Sequence, residues 1–511
     1  MSYYVELNSK ISDTLKKAEI NLQKVIELNK NKVIPISILE RACKINLEKK
    51  FFNVNSQYLW ICLDKCYIHR KFRNGWKRFK VSFPNAYIQN CDKNRNIILK
   101  AYNLCSRPKT KTFSALCERS YVSITDYISG KVKIPLTVFL KSCQLLEKNP
   151  WKELDNCKIY SGSSISSKSI IFKDRWTPEL QILLNWIKLE GNLNISRPTI
   201  SISQNINEKI CLEKLTRYFI EVFSLPKESI RIDHIKTRPN ISILNINSAP
   251  LRQILNLRYQ IALGYKSRDI EPDTFFCSNK EDFLKILASE IETEGSFARH
   301  MKKNITHCEL SFSTYSKKYS ISVLNKLKKL NYPSNFLISK RKRLGVKEIE
   351  YRTGFLGVNE LQRFAFEIMP YFHHIKKIRN LIEVIAQENF LKICGINSNN
   401  KIKELIYEAK NKCGSFKLLA NSLNKEGITI SHKGVEGWIY LSNNPSVYAI
   451  LKMCSIIKED NYFKYIPKEF ALSLWLQGFI NREEAEKIRG IKDAYKHISL
   501  QFPRDTDRLT P

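Results

Sequence analysis

LLNWIKLEG (Leu183–Gly191) and LASEIETEG (Leu287–Gly295) are apolar runs of helical period, and both end in Glu-Gly. A helix with a carboxylate at its C-terminal tip, closed by a glycine free to take the left-handed conformation, is an ordinary helix end when it occurs once. Here it occurs twice, with a similar order of segments behind each copy. The pattern predicts a duplicated unit that sets Glu190 and Glu294 side by side.

The segments that follow keep the same order. After Gly191 come RPTISISQN (197–205), the helix-period EKICLEKLTRYFIEVF (208–223), SIRIDHIK (229–236) and NISILNIN (240–247). After Gly295 come CELSFSTYS (308–316), SISVLNKLKKL (320–330), FLISKRKR (336–343) and EIEYRTGFLG (348–357). Each half therefore reads helix, strands, helix, strands, helix, which is an α+β class. In the strands, apolar residues alternate with polar or basic ones, so one face packs on helices and the other meets solvent or a ligand. Arg231 and Asp233 share one strand face and Lys340 and Lys342 another, with Lys236 at a strand end. A β-ribbon reading the major groove needs such a face, and a solvated sheet has one too.

These residues resemble the LAGLIDADG homing endonucleases. LASEIETEG matches that motif in length, small-residue positions and terminal acid-glycine; LLNWIKLEG is looser, with Leu184, Asn185 and Leu189 where the family carries small residues. The similarity runs from about Trp176 to Gln387. It implies a central pseudo-twofold pair of αββαββα repeats within one monomer, 170–278 and 279–390, laid on double-stranded DNA. Glu190 and Glu294, with Gly191 and Gly295 beside them, would then hold Mg²⁺ or another divalent cation at the scissile phosphates. Hard Mg²⁺ takes oxygen ligands, needs only one or two carboxylates and keeps its waters, one of which can attack a phosphodiester. Lys376, or its neighbour Lys377, falls where the family carries a basic catalytic residue; the first half offers only Arg258. The resemblance implies sequence-specific cleavage of duplex DNA. The alternative is a domesticated DNA-binding regulator that no longer cuts, and an RNA maturase is a third possibility.

The flanks add a different pattern. VIPISILERACKI (33–45) returns as KIPLTVFLKSCQL (133–145) and more loosely as NNPSVYAILKMCSI (443–456), each with a proline near a helix start. Thr112–Leu146 reads as a short helix, a tight turn, a second short helix, Gly130 and a further helix, the layout of a helix-turn-helix. Its expected core is Phe113, Leu116, Ile124, Tyr127 and Ile128, which leaves Ser123, Thr125, Asp126, Lys131 and Lys133 toward DNA. Gly414–Ile457 repeats the layout, with Phe416, Leu419, Leu423, Val435 and Trp438 as core and Ser431, His432, Lys433 and Glu436 as readers. A small helical bundle with no DNA role is the alternative for either arm.

The expected organisation is therefore an N-terminal helical basic region (1–105), an all-α helix-turn-helix domain (106–160), a linker SGSSISSKS (161–169), the two repeats, and a C-terminal helix-turn-helix with a helical tail (400–511). Within the first of these, RKFRNGWKRFK (70–80) interleaves cations with Phe72, Trp76 and Phe79, which suits either a phosphate backbone or a solvated loop edge.

The 511 residues carry 85 Lys+Arg against 49 Asp+Glu, a formal net charge of +36, and that excess points to a polyanionic partner. No run of about 18 apolar residues is present, so no membrane partner is expected and the location is expected to be cytoplasmic and nucleoid-associated. The 14 cysteines show no paired framework and read as reduced core thiols. Cys62, Cys66 and His69 come nearest to a zinc pattern, without a Cys-x-x-Cys pair.

Overall fold

In a computed structural model the chain divides into two compact units, Met1–Phe276 and Cys277–Pro511. The structure describes residues 3–6, 12, 15, 33–35, 39, 67–72, 75–80 and 86–490, apart from 118, 165–166, 236, 262, 265–276, 278, 303–304, 344–345, 388–389 and 442; side chains of 3–6, 33–35, 67–80, 235, 299–307 and 341–348 are outside the description. Helix and antiparallel sheet are mixed throughout, as the α+β expectation requires.

The first unit opens with strands where the N-terminal region was expected to be helical. β1 (Tyr3–Glu6), β2 (Val33–Pro35), β3 (Tyr67–Phe72) and β4 (Gly75–Lys80) form one sheet in the order β2-β1-β3-β4. The basic stretch 70–80 is thus largely a β-hairpin. β5 (Tyr87–Ile88) then leads into α1 (Asp92–Leu104), α2 (Lys109–Cys117), α3 (Tyr121–Ser129), β6 (Ile134–Pro135) and α4 (Leu136–Leu145). Ser120 caps α3 by accepting from the Ser123 amide at 3.2 Å, and Gly130 closes it at φ 81°. β7 (Cys157–Tyr160) and β8 (Ser169–Phe172) complete a second sheet, β6-β5-β7-β8. Two expectations change here. The segment is not all-α, and 161–169 spans the loop of the β7–β8 hairpin, with Tyr160 opposite Ser169, instead of linking two domains.

Two helical modules, one per unit, repeat each other closely. In the second unit α12 (Asn400–Cys413), α13 (Phe416–Lys425), α14 (His432–Tyr440) and α15 (Val447–Ile457) make the same pairwise contacts as α1 to α4. Buried positions match: Asn94, Ile97, Ile98 and Ala101 on α1 have the spacing of Ile402, Leu405, Ile406 and Ala409 on α12. Ser431 caps α14 as Ser120 caps α3. The Leu136 amide bonds to the Ala86 carbonyl (2.7 Å), and the Val447 amide to that of Cys394 (2.8 Å). Cys143 and Cys454 occupy matching core positions, and burial pushes both thiols up to about 12, so they act as packing residues. The expected cores hold at Phe113, Ile124, Tyr127, Leu419, Leu423, Val435 and Trp438. Leu116 does not hold: it is 43% exposed, because Cys117, one residue on, falls on the inward side of α2. Ile128 and Phe416 are only half-buried.

The central part of each unit has the same topology. The first runs α5 (Pro178–Leu189), β9 (Gly191–Leu193), β10 (Thr199–Asn205), α6 (Lys209–Phe223), β11 (Ile230–Ile235), β12 (Arg238–Asn247) and α7 (Ala249–Leu257). The second runs α8 (Lys280–Glu294), β13 (Gly295–Lys302), β14 (Ile305–Thr314), α9 (Lys317–Lys329), β15 (Asn335–Arg343), β16 (Val346–Leu356) and α10 (Val358–Ile368), followed by α11 (Ile375–Ile385). Their sheets are ordered β9-β10-β12-β11 and β13-β14-β16-β15, the same path twice. Both leading helices are capped as their sequences suggest: Thr177 precedes Pro178, and Asn279 accepts from the Asp282 amide at 2.9 Å. Every residue of α5 from Leu180 to Leu189 is buried, so this helix is enclosed on all sides.

Candidate functional site

Each leading helix passes straight into a strand at its glycine. The Glu190 amide closes α5 on the Trp186 carbonyl at 2.9 Å, and β9 starts at Gly191. Glu294 is the last residue of α8, and Gly295 is extended (φ −77°, ψ 155°). Neither glycine is left-handed, contrary to the expected closure. Both are needed for space. A Cβ on Gly191 would lie 2.6 Å from the Ile187 Cα, and one on Gly295 2.5 Å from the Ile291 carbonyl oxygen. Because the obstacle is backbone, Gly295→Ala is expected to cost about 1–3 kcal/mol, as overpacking does. A thermal-unfolding midpoint unchanged from wild type would contradict this account.

Glu190 and Glu294 are both half-buried at these tips. The two other acids of LASEIETEG are more deeply placed and do separate work. Glu290 forms a buried ion pair with Lys326 of α9. Glu292, only 2% exposed, accepts the backbone amides of His373 and His374, the latter at 2.8 Å, just before α11 begins. Burial alone would raise its carboxyl, but the His373 side chain and these two amides outweigh it and hold the group below its ordinary value.

Beyond that clamp, α11 carries two adjacent lysines. Lys377 donates its ammonium to the Gly295 carbonyl, next to Glu294, whereas Lys376 is exposed. Of the two lysines, Lys377 is thus the one seen on the Gly295 backbone. Arg258 is held by Asp174 at 3.1 Å beside Trp151, and the buried Arg252 donates to the Ile195 carbonyl at 2.8 Å.

His374 makes this region sensitive to acid. Burial, only partly offset by Glu292, lowers its imidazole to about 4, against about 6.5 when unfolded. A group whose folded value is depressed contributes stability that is complete above pH 6.5 and is lost as the pH falls toward 4. The loss is about 3 kcal/mol by linkage. Thermal midpoints taken between pH 8 and 4 are expected to fall steadily below 6.5, and a flat profile would contradict this placement of His374.

The sheets each bury one face. In the first, Ile200, Ile202, Leu244 and Ile246 are buried, while Ser201, Ser203, Asn245, Asn247, Arg231 and Asp233 occupy the other face. Ser201 donates to Asn245 (2.7 Å), and Asn245 donates to Asp233 (2.8 Å), a hydrogen-bonded row across three strands. Arg231 is exposed beside it; Lys236 lies outside the described residues. In the second sheet Ser311, Ser313 and Arg352 share a face, with Arg352 on Glu350 at 3.0 Å. Lys340 is exposed but alternates with Phe336 on the opposite face, the one where Phe312 stacks on Tyr319 of α9. The side chain of Lys342 is outside the description.

On the helical modules, Thr125, Lys131, His432 and Lys433 are exposed. Ser123 is half-buried and shares a hydrogen bond with the Ser120 hydroxyl, and Ser431 accepts from the Gly434 amide, so both belong to helix caps. Lys133 is not a free reader: its ammonium sits 3.6 Å above the Tyr160 ring.

No group of three or more His, Cys, Asp or Glu able to hold a metal occurs among the described residues, and no described helix is long and apolar enough to cross a membrane. A carboxylate oxygen, as Glu190 and Glu294 each offer, is nevertheless a hard donor that Mg²⁺ accepts while keeping waters. Among the described residues no cysteine is in a disulfide. Cys62 and Cys66 lie outside the described residues, as does the side chain of His69, and with them the zinc pattern.

Among solved structures the chain is similar to the N-terminal LAGLIDADG domain of DUF199/WhiA, at 13% identity and a TM-score of 0.24 over 38% of this chain and 82% of that one. It is also similar to the LAGLIDADG homing endonuclease I-GzeII in complex with its DNA target, at 10% identity and a TM-score of 0.25 over 60% of this chain and 99% of that one. No family model and no curated protein matches the chain. With likenesses this low, the functional reading rests on the chain's own residues.

Proposed function

We propose that the chain is a sequence-specific double-stranded DNA endonuclease of the LAGLIDADG type, flanked by helix-turn-helix arms. The observation that carries this reading is repetition. Two αββαββα units have one sheet order, and each is led by a helix that delivers a half-buried glutamate at a Glu-Gly tip and is followed by a sheet with a polar face. The polar faces supply donors and acceptors for base edges, and the +36 charge supplies attraction to phosphate. The α2–α3 and α13–α14 pairs would extend the contact, with Thr125, His432 and Lys433 toward DNA.

Glu190 and Glu294 would each offer a ligand to a divalent cation, which would supply an activated water and stabilise the leaving oxygen. Lys377, through the Gly295 carbonyl, fixes the backbone next to Glu294 and adds positive charge where a phosphate would sit. A DNA-binding regulator without cleavage is the second reading, favoured by the engagement of Arg258 with Asp174 where the first unit would need a counterpart of Lys377. Selecting bound duplexes from a random library and then adding Mg²⁺ to the enriched pool separates the two. Enrichment with cutting supports the nuclease, and enrichment without cutting supports the regulator. No enrichment at all contradicts both.

A further inference from the structure

The strands at the start of the chain repeat the module of residues 86–172. The sheet β2-β1-β3-β4 has the order of β6-β5-β7-β8: the second strand at one edge, the first beside it, and a closing hairpin on the far side. Registers agree as well. Tyr4 lies opposite Pro35 as Tyr87 lies opposite Pro135, and Val5 opposite Ile34 as Ile88 opposite Ile134. On its other side Tyr4 faces His69, and Tyr87 faces Tyr160. Two helical residues between the strands fit the same alignment. Leu15 follows Tyr4 by 15 − 4 = 11 positions and Ile98 follows Tyr87 by 98 − 87 = 11; Leu39 and Phe139 each stand four positions after their proline. All four are fully buried.

The copies differ in the hairpin. Between Cys157 and Phe172 the cations are Lys158 and Lys168. The first copy instead has YIHRKF and GWKRFK, with Arg70, Lys71, Lys77, Arg78 and Lys80 and no acid, and β4 forms the edge of its sheet. Register sets Lys71 opposite Trp76, Arg78 opposite His69 and Lys80 opposite Tyr67. Since alternate strand positions share a face, Lys71, Arg78 and Lys80 occupy one face together with two aromatic positions.

We propose that β1 to β4, with Leu15 and Leu39, belong to a third copy of the module and that the β3–β4 hairpin is a contact for the backbone of duplex DNA. This rests on the reading above that the chain binds duplex DNA. Cations at these positions neutralise phosphates and release counterions, which is a salt-dependent, sequence-independent contribution. Its effect is to lengthen the contacted site at one end.

The test uses the full chain and a duplex selected by the wild-type protein, with two variants, K71E/R78E/K80E and K71Q/R78Q/K80Q. Both variants are expected to flatten the dependence of log K on log salt by about 2–3, at about 0.9 for each phosphate no longer neutralised. Both are also expected to shorten the nuclease-protection footprint at one end, while the glutamine variant keeps the wild-type thermal midpoint. Wild-type slope and footprint in the glutamine variant would overturn the third contact and leave the DNA reading standing. Tighter wild-type binding to structured RNA of equal length would also overturn it. Failure of the wild-type chain to bind any duplex is seen before a substitution is made, and overturns the DNA reading itself.

Discussion

Replacing Glu294 by Gln is expected to lower Mg²⁺-dependent cleavage of the selected duplex by about 1000-fold or more, the scale of losing a principal charge-stabilising group, and to leave duplex affinity nearly unchanged. Gln keeps the shape and the helix but removes the negative charge that a hard cation requires. The carboxylate also stands at a helix C-terminus, where the macrodipole adds to the attraction for a cation. Glu190→Gln is expected to act in the same direction, because it removes the same negative charge at the other tip. Cleavage rates for each variant at saturating Mg²⁺, with affinities measured in Ca²⁺, decide the matter. Cutting that survives both substitutions would remove these acids from the chemistry.

The terminal acids were visible in the sequence because they end a periodic apolar run and recur. The work of Glu290 and Glu292 was not, since their partners lie far away in sequence, at Lys326 on α9 and at the amides of residues 373 and 374. The contact of Lys377 with the Gly295 carbonyl is likewise long-range, 82 positions apart in sequence. Long periodic elements such as α6 and β12 were readable to within two residues. The short strands β1, β2, β5 and β6 were not, for two to four residues cannot display a period. The polar stretch 161–169 misled because a Ser-rich hairpin loop and a Ser-rich linker have the same composition.

Glu290→Ala is expected to destabilise the second unit by about 3–5 kcal/mol, the cost of leaving a buried charge without its partner. Glu290 is 1% exposed and Lys326 7%, so truncating the acid removes the ion-pair partner of an ammonium that has little access to water. Lys326→Ala should cost a similar amount by stranding the carboxylate. Replacing both, as E290M/K326M, removes the two desolvation penalties together and is expected to recover most of the loss. Denaturant unfolding of the three variants tests this through the coupling of the pair. If the single losses simply add in the double variant, the ion pair does not hold α8 to α9. If the double variant is near wild type in stability, its cleavage rate becomes informative. A rate that stays low would mean that the pair also sets the angle at which α8 presents Glu294, and a rate that returns would confine the pair to folding.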